Sequence, residues 1–243
     1  MYLYVEKYKI GDYSNISLYT ALEAFYRMGF QIIYVESFEN LQIKEDNIFL
    51  GSIQFIHTAL KEMNKKQPNS IDYPNSLHSF LGRKIWDSTI NKIANNPNNW
   101  NVFVKPKFDN KKFTGRLVNS TKDLIGCGDV NQNTEIWVSE TKNFISEWRV
   151  FIRNKQILGV KFYKGDWHYH YNSSIIEKAV NQFENAPAGY SLDFGLTDKK
   201  EFLLIEANDG YGLGNYGLFY IDYAKLLASR WAEITEQRDL CEF

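Results

Sequence analysis

Cysteine is nearly absent from this chain: Cys127 and Cys241 are the only two in 243 residues, and they stand far apart with no metal-ligand spacing. A disulfide framework and a cysteine-rich metal module are excluded, and free thiols in a reducing cytoplasm are expected. Long apolar runs are also lacking. No stretch reaches the roughly 18 residues of a membrane-spanning helix, and residues 1–7 show no basic segment followed by an apolar one, so neither a span nor a secretory signal is expected. An excess of one charge is missing as well. With 28 Lys and Arg against 29 Asp and Glu the formal net charge is -1, which argues against a polyanion-binding protein acting by bulk charge. What the chain does have is apolar residues at 44% and aromatics at 16%, enough for one large globular domain or two to three small subdomains.

The first eighty residues alternate strand and helix patterns. Strands are expected at 2–8, 31–35 and 47–50. Leu18, Ala21, Leu22 and Phe25 recur at helical spacing, as do Ile53, Ile56, Ala59 and Leu60, which predicts an α/β unit with a parallel sheet. Residues 65–74, rich in Lys, Asn, Ser and Pro, read as a linker. Leu81, Ile85, Ile90 and Ile93 predict a helix over 77–95. Strands then dominate, at 101–105, 112–118, 135–139 and in a hairpin over 146–163 turning at Asn154, with a short helix at 121–125. Ser173 is the expected cap of a helix ending before Pro187, and a last helix is expected over 219–236.

The richest stretch lies near the C-terminus. Residues 189–195 and 201–208 are apolar runs joined by a polar turn at Asp198, Lys199 and Lys200, which reads as an antiparallel hairpin. Strand alternation sends Glu206 and Asn208 to one face, and Asp193 can be brought opposite them. Three oxygen ligands on one surface suit Mg²⁺, which takes a few carboxylates and completes its shell with water and phosphate. Each acid alone is equally readable as a solvated hairpin end; embedded in apolar strands, unpaired carboxylates are costly. A Gly-rich loop, residues 209–217, follows directly, where backbone could approach a ligand closely.

Upstream, Lys105 ends a hydrophobic strand that Pro106 halts, and Lys112 precedes Phe113, Thr114 and Gly115 in a segment whose tip could fold over phosphates. The strand Ile136, Trp137, Val138, Ser139, Glu140 could line an adenine edge. Glu147 and Arg149 fall two apart on one strand face, the first suited to ribose hydroxyls and the second to a phosphoryl group or carboxylate, or the two to a cross-strand ion pair. Lys161 on the partner strand is a second cation candidate. His168 and His170 share a strand face, but no third soft ligand lies near them, so a structural or surface role is expected.

Taken in order, Lys105-Pro106, Lys112-Phe-Thr-Gly, Ser139-Glu140, Glu147-Trp-Arg149, Asp193 and Glu206-Ala-Asn208 resemble the ATP-grasp superfamily, in particular its small bacterial and phage branch, the arginine-two-lysine clade. The segments 80–86 and 208–214 share that look. The resemblance implies an α/β and α+β fold: an N-terminal α/β pre-ATP-grasp domain at 1–75, a central subdomain at 76–140 and a C-terminal subdomain with the metal site at 141–243. It implies that Lys105 and Lys112 meet the phosphates of ATP, that Trp137, Val138, Ser139 and Glu140 line adenine, that Glu147 takes ribose, and that Asp193, Glu206 and Asn208 bind Mg²⁺. One position departs: amino-acid ligases of the superfamily carry an arginine shortly before the metal-binding Asp, where Tyr190, Ser191 and Leu192 stand here. Arg149 and Lys161 are the candidates to replace it.

The function so implied is a ligase joining a carboxylate to an amine or similar nucleophile through an acyl phosphate, releasing ADP. Asp209, Gly210, Tyr211, Gly214 and Tyr216 of the Gly-rich loop are the candidate acceptor pocket, for small-molecule or peptide substrates. A small-molecule kinase using the same machinery and a nucleotide-binding module without chemistry are the competing readings. Base stacking on nucleic acid is disfavoured because the aromatics are interleaved with aliphatic residues.

Overall fold

The structure, a computed structural model, describes residues 1–7, 15–107, 113–128 and 133–243. Within it the three sheets follow from which strands are apolar on both faces and which alternate. β1 (Tyr2–Glu6), β2 (Gln31–Val35) and β3 (Asn47–Leu50) form a parallel sheet in the order β2-β1-β3. Leu3, Tyr4 and Val5 of the central strand are all buried, as a parallel strand covered on both sides requires. Helix α1 (Ile16–Arg27) supplies the crossover from β1 to β2 and α2 (Ile53–Glu62) follows β3, and the Asn15 and Ser52 side chains accept from the backbone N–H groups of Leu18 and Phe55 at their first turns. The α/β unit expected from the sequence is there.

The second sheet, β4 (Ile85–Thr89), β7 (Glu135–Glu140), β5 (Val102–Pro106) and β6 (Arg116–Val118), is antiparallel in the order β4-β7-β5-β6. Here the sequence reading needs correction. The helix expected over 77–95 is a 3-10 turn at Asn75–Phe80, strand β4 and a short helix α3 (Ile90–Ala94). Gly82 breaks it: its φ of 57° is left-handed, and a Cβ there would lie 2.4 Å from the Leu203 side chain. Ile85 to Thr89 then pair with β7, Ile85 opposite Ser139. The strand expected over 112–118 spans Arg116–Val118, and the short helix at 121–125 is the 3-10 turn Thr121–Leu124.

The third sheet, in the order β11-β10-β8-β9, is built from two hairpins. β8 (Phe144–Arg153) and β9 (Gln156–Gly165) turn through Asn154 and Lys155, both at positive φ, the geometry of a tight two-residue hairpin. β10 (Gly189–Thr197) and β11 (Phe202–Asp209) form the predicted C-terminal hairpin, with Lys200 left-handed in its turn. Helix α4 (Ser173–Gln182) is capped one residue earlier than expected, the Asn172 side chain accepting from the Ile175 N–H.

Helix α5 (Tyr220–Thr235) closes the fold. Its Ala224, Leu227 and Trp231 share one core with Leu3, Phe25, Phe49 and Leu60 of the N-terminal unit. The Trp231 indole lies 5.3 Å from the Phe49 ring and donates to the Asn47 carbonyl at 2.9 Å. No helix among the described residues is long and apolar enough to cross a membrane.

Candidate functional site

Register places a row of charged groups across the third sheet. Asp193 on β10 pairs with Glu206 on β11 and with Arg149 on β8, and Arg149 pairs in turn with Lys161 on β9. Directly opposed residues share a face, so all four lie on one side of the sheet. Arg149 Nε and Nη2 donate to the two Asp193 carboxylate oxygens at 2.7 and 2.6 Å, a buried two-pronged pair. Asn208 Nδ2 donates to Asp193 Oδ2 at 3.3 Å. The three side chains read as a metal set are therefore adjacent. Lys161 lies half-buried at the far end of the row and lines neither of the clefts described below.

Burial raises the Asp193 carboxyl to about 6, against the pull of Arg149. For Glu206 the balance falls the other way: burial is outweighed by Lys105, which holds the carboxyl below the ordinary range. Lys105 Nζ donates to Glu206 Oε2 at 2.7 Å and to Asp72 Oδ1 at 2.5 Å, and sits 4.7 Å from the Tyr73 ring centroid. Burial works against its charge, but Glu206, then Tyr73 and Asp72, raise its pKa overall. Among the described residues no group of three or more His, Cys, Asp and Glu is placed to hold a metal. Two carboxylates and an amide in contact fit magnesium, which asks the protein for few charged ligands.

Two clefts meet at this row. The first, about 620 Å³, lies between the second and third sheets and is lined by Ser139, Glu140, Glu147, Tyr163, Glu206 and their neighbours. It is of the size that small organic ligands occupy. Of the residues expected around adenine, Ser139 and Glu140 line it. The Val138 side chain is fully buried in the core of the second sheet, and Trp137 stands edge-on to Tyr73 at 5.4 Å with the Lys107 ammonium 4.7 Å from its centroid. Glu147 is buried, and its Oε1 accepts from Lys164 at 2.6 Å. Lys112 falls outside the described residues.

The second cleft, about 680 Å³, opens on the other side of the row, between α2 and the Gly-rich loop. Arg149, Asn208, Asp209, Tyr211 and Gly214 line it, together with Asp72 and His57. Asp209 is not free to bind there by charge: Arg230 Nε and Nη2 hold its two oxygens, each at 2.6 Å. Gly210 serves close packing, since a Cβ would sit 2.2 Å from the Gly189 carbonyl oxygen. Tyr211 hydrogen-bonds His57 Nε2 at 3.1 Å. Tyr216 stacks on Tyr163 and lies under the Arg149 guanidinium, 4.6 Å from its centroid.

Sequence reading missed Asp72, Tyr73 and Arg83. The first two belong to the polar stretch read as a linker, and only an acid and an aromatic side by side hinted at more. Arg83 donates to the Leu81, Leu204 and Ile205 carbonyls and, through Nε, to Ser139 Oγ at 2.9 Å, which ties β11 to β7 in the wall of the first cleft. The His168 ring is exposed and pairs with Asp166 at 2.7 Å, with His170 exposed beyond it.

The same fold occurs in solved structures of low sequence identity. D-alanine–D-alanine ligase from Bacillus anthracis superposes with a TM-score of 0.60 at 13% identity, covering 97% of each chain. D-cycloserine synthetase DcsG gives 0.58 at 11% identity over 95% of this chain and 99% of that one. The macrocyclase MdnC from Microcystis aeruginosa, solved with its precursor peptide MdnA, gives 0.53 at 11% over 93% and 99%. No curated protein matches by sequence. The family model of the ATP-grasp domain, family 2 of the arginine-two-lysine clade, matches residues 80–226, which hold Lys105, Arg149 and the Asp193, Glu206 and Asn208 set, and the chain belongs to that family.

Proposed function

We propose that this protein is an ATP- and Mg²⁺-dependent ligase that joins a carboxylate to an amine or similar nucleophile through an acyl phosphate, with release of ADP. The observation that carries the reading is the meeting of two clefts at one charged row: Glu147, Ser139 and Glu140 on one side, Arg149 and the Gly-rich loop on the other. ATP in the first cleft would set its ribose near Glu147 and its phosphates toward Lys105. A carboxylate in the second would approach Arg149, whose planar fork suits an acyl phosphate. Asp193, Glu206 and Asn208 would hold magnesium, which supplies neutralisation of phosphate charge when bound.

The remaining chemistry belongs to the chain's own groups. Lys105 and Arg149 lie at a buried junction where charge interactions are stronger than in water, and both can follow charge as it moves from the attacking carboxylate through the transferring phosphoryl group to the departing ADP. The Tyr216 ring under the Arg149 guanidinium adds a cation–π contact that favours its position. No side-chain nucleophile is needed, in keeping with two buried cysteines. The family and the likeness to ligases support this reading.

Incubation with ATP, Mg²⁺ and pooled amino acids, followed by nucleotide analysis and hydroxylamine trapping, tests it. ADP together with a hydroxamate is the expected result. AMP, or ADP with a stable phosphorylated product, would reject the acyl-phosphate ligase.

A further inference from the structure

Asp72 belongs to the segment between the N-terminal unit and the second sheet, whose composition is that of a solvated connection. The residue is nevertheless buried, only 7% exposed. One carboxylate oxygen accepts from Lys105 and the other from Ser70 Oγ, while its backbone carbonyl accepts from the Ala207 N–H at 2.9 Å, on the edge of β11 between Glu206 and Asn208. The segment is thereby pinned to the metal-set strand. Asp72 lines the second cleft and Tyr73, the next residue, lines the first, with the Lys105 ammonium against both.

Lys105 therefore carries two carboxylates at hydrogen-bond distance, Glu206 and Asp72, in a largely buried setting. A buried ammonium and its partners are stable as a neutral set, and one carboxylate already supplies the opposite charge. A triphosphate drawing on the same ammonium meets an excess of negative charge at that point. We infer that Asp72 is a positioning residue that holds the Lys105 ammonium until nucleotide binds and then gives it up to the triphosphate. This rests on the proposed function only in placing the triphosphate at Lys105. With nucleotide bound, the Asp72 carboxylate keeps Ser70 as its partner and faces the second cleft.

The exchange has a consequence opposite to that of a structural contact: removing the Asp72 charge tightens triphosphate binding. Calorimetry of the full chain with Mg²⁺ and the non-hydrolysable analogue AMP-PNP, and with adenosine, measures it in wild type, Asp72→Asn, Lys105→Met and the double variant. Asp72→Asn is expected to bind AMP-PNP about three- to ten-fold more tightly with adenosine unchanged. The gain should vanish in the Lys105→Met background, because the effect runs through that ammonium. Asp72→Ser, which removes the charge with a smaller side chain, should behave as Asp72→Asn if the latter folds poorly. Weakened or unchanged AMP-PNP binding in these variants overturns the inference. So does an equal gain in both backgrounds, which would be simple relief of charge at a distance. Failure of the wild type to bind AMP-PNP at all removes the nucleotide site itself, and the inference with it.

Discussion

Arg149 and Asp193 face each other across β8 and β10 and share two parallel hydrogen bonds, 2.7 and 2.6 Å long, inside the fold. The arginine thus stands in contact with the proposed metal set while its outer side lines the second cleft. Arg149→Lys keeps the charge and loses the fork, so the acyl phosphate should lose more stabilisation than bound ATP does. The expected outcome is ATP affinity within about three-fold of wild type and kcat down by about 10²-fold or more. Titration calorimetry paired with ADP release checks it, and a wild-type rate would remove Arg149 from the chemistry.

Lys105→Ala should cost ATP far more than adenosine. An ammonium at the end of β5 interacts with phosphates and not with the base, and loss of one desolvated charged contact is worth about 2–3 kcal/mol, roughly thirty- to two-hundred-fold in affinity. Equal losses for the two ligands would place Lys105 away from the phosphates.

The proposed metal set predicts a pH dependence. Burial lifts Asp193 to about 6, and a cation requires its carboxylate form. Since the protonated form cannot serve as ligand, Mn²⁺ or Mg²⁺ affinity of the nucleotide complex should fall as pH drops through about 6 and level off above it. For the cation-free fold the sign is reversed: a raised carboxyl pKa contributes stability below the unfolded value, near 4, and that contribution fades as pH rises through 6. Asp193→Asn should abolish this dependence of metal affinity, and Glu206→Gln should abolish turnover with the fold intact. Electron paramagnetic resonance of Mn²⁺ reads binding directly, and a flat profile in wild type would count against Asp193.

Arg230 and Asp209 anchor the Gly-rich loop to α5. Arg230→Leu leaves the Asp209 carboxylate without its partner at a buried position, which costs about 3–5 kcal/mol. Denaturant unfolding should show that loss, whereas Arg230→Leu combined with Asp209→Leu should recover most of it. A single variant as stable as wild type would mean that the loop does not depend on this pair.

The C-terminal hairpin was legible because its two apolar runs, polar turn and embedded acids left one pairing that gathers Asp193, Glu206 and Asn208. The parallel sheet was legible from strand and helix periods in alternation. Residues 77–95 misled because Leu81, Ile85 and Ile90 keep nearly helical spacing while Gly82 needs left-handed backbone and β4 needs a partner about 50 residues away. Asp72 was hidden by composition, since a polar stretch that adds itself to a strand edge looks like any connection. The Asp209 and Arg230 pair was hidden by distance along the chain: nothing local to a Gly-rich loop announces an arginine on the helix that follows it.

Helix α5 completes the core of a sheet whose strands were made first. Phe49 and Asn47 find their partner in Trp231, so during synthesis the apolar face of β1 and β3 waits for a segment about 180 residues downstream. At the usual pace of the ribosome that is a delay of roughly 10–40 s, a window in which a holding chaperone has a defined surface to cover. A stop codon anywhere before residue 219 would leave that surface bare for good, and the truncated product should be recognised by quality control through its N-terminal sheet.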